Sequence, residues 1–237
     1  MAARLRQDRQ ASPSAGVIDS QSVKTTESGG ISGFDAGKRI KGRKRHILTD
    51  TLGLLLCVVV HSAAIQDRDG AAVVFAAIAK SYPGLRHVFA DGAYAGPKLR
   101  GALSKIGAWT LEIIKRSDRA KGFKVLPRRW VVERTFAWLG RCRRLAKDWA
   151  NTIASAEAWL LIAHIRLVTL CLARYCYQKI EFRVRLLNQR ANQYRKSAIS
   201  SGSVRTSPRA ADKSIAMVRT RLRWPSAAVA CGVCKPE

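Results

Sequence analysis

The spacing of apolar and polar positions changes several times along this chain, and each change marks an element. Gly16–Lys24 (GVIDSQSVK) places polar side chains on one face behind Val17 and Ile18, which predicts a short strand. His46–Asp50 and Leu54–Val60 are two further strand-like runs joined at Thr51-Leu52-Gly53, the pattern of a hairpin. The second of them, LLLCVVV, does not alternate and is expected to be buried on both faces. Asp69–Ser81 shifts to helical spacing through Val73, Val74, Ala77 and Ile78 and stops before Pro83. Leu85–Ala90 returns to a strand, closed by Asp91-Gly92. Pro97–Ile106 predicts a helix stopped by Gly107, and Trp109–Ile114 a last strand. Helical patterns fill Arg129–Lys147 and then the long apolar stretch Ile153–Tyr177.

The segments between these elements read as loops. Residues 1–15 are polar and form a flexible lead-in, 25–37 (TTESGGISGFDAG) a mobile loop, and 116–125 a basic loop. Residues 178–237 are Ser- and Arg-rich without a sustained period and read as a disordered basic tail. The order strand, hairpin, helix, strand, helix, strand and then helices gives one α/β domain over 16–177, with helices on a central mixed sheet.

Charge sharpens this picture. Of 237 residues, 43 are Lys or Arg and 16 are Asp or Glu, a formal net charge of +27. A compact fold with that charge repels itself, so a polyanionic partner is expected, nucleic acid before an anionic membrane. The six cysteines are scattered and no secretory signal opens the chain, which implies a reduced, cytoplasmic protein with free thiols. Cys231-Gly232-Val233-Cys234 is a lone CxxC with neither a second pair nor a nearby histidine, too few ligands for a zinc site. In Ile153–Tyr177 the apolar run is broken by Glu157, His164, Arg166 and Arg174, which favours a buried helix over a membrane span.

With so few acids, their positions carry information. Asp19 follows two apolar residues in the first strand, Asp91 lies at the C-terminal end of the VFA strand, and Glu133 lies in WVVERTFAWLGRCRRL, a helix start. Three carboxylates from two strands and one helix could hold two Mg²⁺ ions and leave room for water and phosphate, the requirement for phosphodiester hydrolysis or transfer. The ordinary alternatives are a turn cap through Ser20 for Asp19, a helix lead for Asp91, and a surface pair of Glu133 with Arg129 or Arg134. Asp50, Asp67 and Asp69 are rivals, the last two looking more like a helix N-terminus.

Three motifs turn this pattern into a resemblance. Val17–Lys24 followed by GKRIKGRKRHIL (37–48), then Phe89-Ala90-Asp91-Gly92-Ala93-Tyr94-Ala95-Gly96, then WVVERTFAWL (130–139) with Arg141, Arg143 and Arg144, resemble in order the motifs of bacterial insertion-sequence DDE transposases. The resemblance runs from about residue 16 to 176. It implies an RNase H-like domain, Asp19, Asp91 and Glu133 as catalytic metal ligands, and two Mg²⁺ or Mn²⁺ ions. It also implies double-stranded DNA (transposon ends and target) as partner, a homodimer on that DNA, and a nucleoid-associated location without a membrane. Tyr94 and Arg134 fall inside the motifs with roles the sequence does not separate. Only 18 residues precede Asp19, so the chain looks like the downstream product of an element whose transposase is split between two reading frames, with the upstream product as a possible partner.

Lys38, Arg39, Lys41, Arg43, Lys44 and Arg45 are expected to meet phosphates, with a solvated edge strand as the alternative. Arg134, Arg141, Arg143 and Arg144 extend that expected DNA surface, where phosphate contacts position DNA without reading it. The tryptophans 109, 130, 138, 149 and 159 read as core, and His164 as a core histidine with a hydrogen-bond partner. The reaction expected is cleavage at element ends and strand transfer. A nuclease of the same fold and a catalytically inactive DNA-binding remnant are the competing readings.

Overall fold

The computed structural model describes residues 2–27, 30–115 and 126–200. The chain divides into two compact units, Met1–Thr169 and Leu170–Glu237. After a short helix α1 (Ala2–Leu5), the first unit contains β1 (Ala15–Lys24), β2 (Gly33–Asp35), β3 (Ile40–Asp50), β4 (Leu55–Ser62), α2 (Asp67–Ile78), β5 (His87–Ala90), α3 (Pro97–Ile106), β6 (Thr110–Ile113) and α4 (Trp130–Gly140). A last helix, α5 (Ile153–Ser200), starts in it.

Strands β4, β3 and β1 pair antiparallel, and β1, β5 and β6 pair parallel, so the order is β4-β3-β1-β5-β6, with β2 also on β3. This mixed five-strand order with helices on both faces is the RNase H-like arrangement. Strand alternation sorts the side chains into two layers. Ile18, Leu48, Val88 and Ala90 face α2 and α3, where Val74, Phe75, Leu99 and Leu103 complete a dry cluster. Val17, Ile47 and Phe89 face the other way and meet Val131, Val132 and Phe136 of α4.

The basic run is where the structure departs most from the sequence reading. The strand expected to begin at His46 begins at Ile40, so Arg43, Lys44 and Arg45 lie inside the sheet with β1 on one side and β4 on the other. All three are buried. Arg43 donates to the carbonyls of Ile31, Ala150 and Asn151 and lies 3.3 Å from Asp148, and Arg45 donates to the Leu145 carbonyl. Lys44 points to the opposite layer, 2.9 Å from Asp67 and 3.5 Å from Asp35. These three cations are therefore structural and not part of a DNA surface; Lys38, Arg39 and Lys41 are exposed.

Other expectations shift for identifiable reasons. The 25–37 loop carries β2, which pairs with the early part of β3. Asp50 is fully buried, accepts the amides of Leu52 and Leu54 at the hairpin, and pairs with Arg4 of the expected lead-in. The helix expected over 129–147 ends at Gly140, followed by a short 3-10 turn at Arg143–Leu145. Helix α5 does not stop at Tyr177 but reaches Ser200, because 178–200 holds no Pro or Gly and is rich in helix-forming Arg, Gln and Leu, with a Glu181–Arg185 pair one turn apart. Residues 116–125 and 201–237 lie outside the described residues.

By length and composition Ile153–Gln189 could cross a membrane. Its first turns instead cover β4: Ala156, Leu160 and Ala163 pack with Val60, Leu139 and Leu145. Glu157 accepts the Val60 amide at 2.9 Å and His164 Nε2 accepts the Leu55 amide at 3.1 Å. Two amides of an edge strand are thereby satisfied, a burden edge strands ordinarily leave to solvent. In the second unit the helix exposes Leu170, Tyr177, Ile180, Phe182, Val184 and Leu187.

On the α2 layer His46 Nδ1 and His61 Nε2 share a hydrogen bond of 2.7 Å. Helix α2 crosses them at Gly70, where a Cβ would lie 2.4 Å from His46 Cε1, so a side chain there would displace the helix or the rings. Burial pushes His46 down to about 3, aided by His61, Lys44 and Lys38, and pushes His164 down to about 4.

Two expectations follow from these burials. Asp148→Ala leaves the Arg43 guanidinium without its counter-charge and should cost about 3–5 kcal/mol in chemical denaturation; a loss under 1 kcal/mol would show that the carbonyls suffice. The second concerns acid. Histidines depressed below their unfolded value of 6.5 give stability that is complete above that value and lost as pH falls below it. Between pH 7.5 and 5, His46 and His164 should each remove about 2 kcal/mol. His164→Gln, which retains an acceptor, should flatten that fall, and an equally steep fall would rule out His164 as a source.

Candidate active site

The site forms where β5 ends and its parallel pairing with β1 stops, while β1 itself runs on to Lys24. Strand β1 pairs with β5 in the register Ala15↔His87, Gly16↔Val88 and Val17↔Phe89. Two residues further along both strands this brings Asp19 beside Asp91. Both belong to the layer of Val17 and Phe89, the face that α4 covers. Open α/β sheets bind ligands at the carboxyl ends of their strands for this reason: the backbone ends there and side chains converge.

Asp19 is partly buried, and its Oδ1 accepts the Ser20 amide at 2.7 Å. Burial raises its pKa to about 6; the Ser20 amide opposes this, the charge on Asp91 adds to it, and Arg129 and Lys38 oppose it. Asp91 caps the 3-10 turn Gly92–Tyr94 by accepting the Ala93 amide at 2.9 Å, so the ordinary capping role is real. Its other oxygen lies 3.9 Å from an Arg129 nitrogen.

Glu133 enters from the first turn of α4, where a carboxylate suits the helix N-terminus. Its Oε1 lies 3.2 Å from Arg129, one turn earlier. Arg129 thus stands between Asp91 and Glu133, and Asp19 adjoins Asp91. The surface pair of Glu133 with Arg129, weighed from the sequence as an alternative to catalysis, is present at the same place as the acids. Among the described residues no three His, Cys, Asp or Glu side chains stand together as a metal-binding group. Asp67 and Asp69, the rivals, lie on the opposite layer or on the α2 surface: Asp67 accepts the Ser20 hydroxyl and pairs with Lys44, and Asp69 pairs with Lys98.

Tyr94, from the second motif, is fully buried against the α2 layer. Burial lifts its hydroxyl well above the usual tyrosine value, and Asp19, Asp67 and Asp91 push the same way. It remains a neutral phenol beneath the acids. Arg134 lies over Trp130 at 4.2 Å and Trp138 at 4.4 Å and donates to the Leu52 carbonyl at 3.0 Å, so this guanidinium fastens α4 to the β3–β4 hairpin. Arg141, Arg143 and Arg144 are exposed, as are Trp130, Trp149 and Trp159. The last two tryptophans carry Lys147 and Arg144 over their rings, which corrects the reading of these rings as core. Sequence reasoning missed the part played by Arg129, visible beforehand only as a neighbour one helical turn from Glu133.

Residues 10–168 match the family described as Transposase DDE domain. A Burkholderia cepacia protein assigned as a transposase for insertion sequence element IS402 is 33% identical over 111 residues, 44% of this chain and 52% of that protein. The chain therefore spans about half the length of this curated relative. A chain in the cryo-electron-microscopy structure of the simian T-cell lymphotropic virus intasome in complex with PP2A regulatory subunit B56 gamma shares 13% identity, with a TM-score of 0.41 over 66% of this chain and 49% of that one. The family match covers β1 to α4 and the start of α5, Asp19, Asp91 and Glu133 included, and the chain belongs to the DDE transposase family.

Proposed function

We propose that this protein is a metal-dependent DNA transposase that cleaves phosphodiesters at insertion-sequence ends and joins them to target DNA through Asp19, Asp91 and Glu133. The observation that carries the reading is the adjacency of Asp19, midway along β1 just past its pairing with β5, and Asp91, just past the end of β5, with Glu133 linked to Asp91 through Arg129.

The chemistry of the donor set fits a divalent cation, although Glu133 does not stand with the two aspartates in this arrangement. Carboxylate oxygens are the ligands Mg²⁺ and Mn²⁺ take. Asp19 is held at about 6 by burial and by Asp91, a carboxylate short of counter-charge. Asp19, Asp91 and Glu133 would hold the metal, which supplies charge neutralisation and an activated oxygen when bound. Glu133 is engaged by Arg129 and must exchange that partner to act as a ligand. The exposed Lys38, Arg39, Lys41, Arg141, Arg143 and Arg144 give the DNA backbone a cationic approach to these acids.

A supercoiled plasmid incubated with the chain and Mg²⁺ or Mn²⁺ should be nicked, and an oligonucleotide of the element's end should be joined to it. Asp91→Asn should abolish nicking while metal-free DNA binding stays equal or tightens, since one repelling charge is gone. Nicking by this variant at the wild-type rate would remove Asp91 from the reaction.

Asp19 gives an independent expectation in stability. A carboxyl raised in the folded state favours folding below its unfolded value of 3.8, and that contribution is lost as pH rises through about 6. At pH 7.5 the folded protein therefore carries this charge at a cost, and Asp19→Asn should stabilise it by about 1–2 kcal/mol. Mn²⁺ should raise the melting temperature of the wild type and leave that of the variant nearly unchanged. Equal Mn²⁺ responses in the two proteins would exclude Asp19 as a ligand.

A further inference from the structure

The turn between β2 and β3 reaches back to the α2 layer of the sheet, and Asp35, the last residue of β2, fastens it there. Its Oδ2 accepts the Ser22 hydroxyl at 2.5 Å, its Oδ1 accepts the Lys38 amide at 3.1 Å, and the Lys44 ammonium lies 3.5 Å away. Burial alone would raise this carboxyl, but the Ser22 hydroxyl, the Lys38 amide and Lys44 outweigh it and bring it to about 2. Asp35 is therefore an anion throughout the working pH range. The turn is tight, with Arg39 in the left-handed region at φ 53.

This anchoring decides where the Lys38 ammonium goes. Its Nζ donates to the Ser20 carbonyl at 3.3 Å. The amide of that same residue is taken by the Asp19 carboxylate. In an antiparallel strand the N–H and C=O of one residue point to the same side. Both Ser20 groups therefore leave β1 away from β3, toward the edge that β5 no longer occupies after Val17↔Phe89. Lys38 thus flanks Asp19 along the strand edge, while Arg129 flanks Asp91 from α4. Among the described residues no carboxylate lies within ion-pair distance of the exposed Lys38 ammonium, unlike Lys44, which has two.

We propose that Lys38 contacts a backbone phosphate of the DNA strand entering beside Asp19, and that Asp35 is the positioning residue that holds it there. The inference rests on the transposase reading of this site. A phosphate approaching two carboxylates is repelled, and a cation with spare donors on the open flank offsets that repulsion before any metal is counted. Asp35 touches no DNA in this scheme; it acts by fixing the turn that aims Lys38.

The full chain decides this through Lys38→Met, Lys38→Arg, Asp35→Asn and the double variant Asp35→Asn/Lys38→Met. Duplex DNA binding is measured without metal over a range of salt, and plasmid nicking with Mn²⁺. Lys38→Met should lower the slope of log affinity against log salt by about one phosphate equivalent. It should cut kcat about tenfold or more with KM changed less than about threefold, and Lys38→Arg should restore the slope and part of kcat. Asp35→Asn should reproduce the Lys38→Met defects, and the double variant should be no worse than Lys38→Met alone, since the two residues act as one unit. A wild-type slope in Lys38→Met overturns the phosphate contact. Defects of Asp35→Asn and Lys38→Met that multiply in the double variant overturn the positioning role. Should Asp35→Asn melt below the assay temperature, Ser22→Ala loosens the same carboxylate more gently and must show the same non-additivity in the salt slope. A wild-type chain that nicks no DNA would remove the transposase reading by itself, and the metal-free slope would still decide Lys38.

Discussion

Burying three consecutive cations in a central strand is the constraint that organises this domain. Arg43, Lys44 and Arg45 are all taken out of water inside β3, a placement that is prohibitive unless oxygen acceptors meet each charge. Alternation sends Arg43 and Arg45 to one layer and Lys44 to the other, so both layers must supply acceptors. On one side the carbonyls of Leu145, Ala150 and Asn151, with Asp148, are drawn onto the sheet, which fixes the segment between α4 and α5. On the other side Asp35 and Asp67 close on Lys44, which fixes the β2–β3 turn and the start of α2. The elements that border the acids are thereby ordered by the strand that contributes none of them.

The acids themselves are assembled by backbone register and by like-charge repulsion that has only partial relief. Parallel pairing of β1 with β5 sets Asp19 against Asp91, and burial with that neighbour raises Asp19 to about 6. Arg129 gives the pair one positive charge and at the same time occupies Glu133. An arrangement that holds carboxylates together with too little compensating charge has its free energy lowered by any cation that enters. That property ties the geometry to the proposed metal dependence.

Helix α5 shows how one segment serves two environments. Its first turns offer Ala156, Leu160 and Ala163 to the core and Glu157 and His164 to the edge amides of β4, so polar residues that interrupt an apolar run are satisfied by backbone. The same interruptions weighed against a membrane span in the sequence, and the structure gives two of them specific partners.

How much was legible beforehand follows from the range of each interaction. Periodicity determined β1, the β3–β4 hairpin, β5, β6, helices α2 to α5 and their order, because burial of a face repeats every two or every 3.6 residues within a single element, but it showed neither α1 nor β2. Family-like motifs around Asp19, Asp91 and Glu133 singled out three acids among 16. Net charge indicated a polyanionic partner but could not say which cations face it. A cation inside a strand and one on a turn look alike in a run such as KRIKGRKR; only pairing with β1 and β4 made Arg43, Lys44 and Arg45 interior and kept Lys38, Arg39 and Lys41 outside. The place of Arg129 between Asp91 and Glu133, and the hold of Asp35 on Ser22 and Lys38, were likewise decided by tertiary structure. Each joins residues from separate elements, and no local pattern encodes a contact whose partners are brought together only by folding.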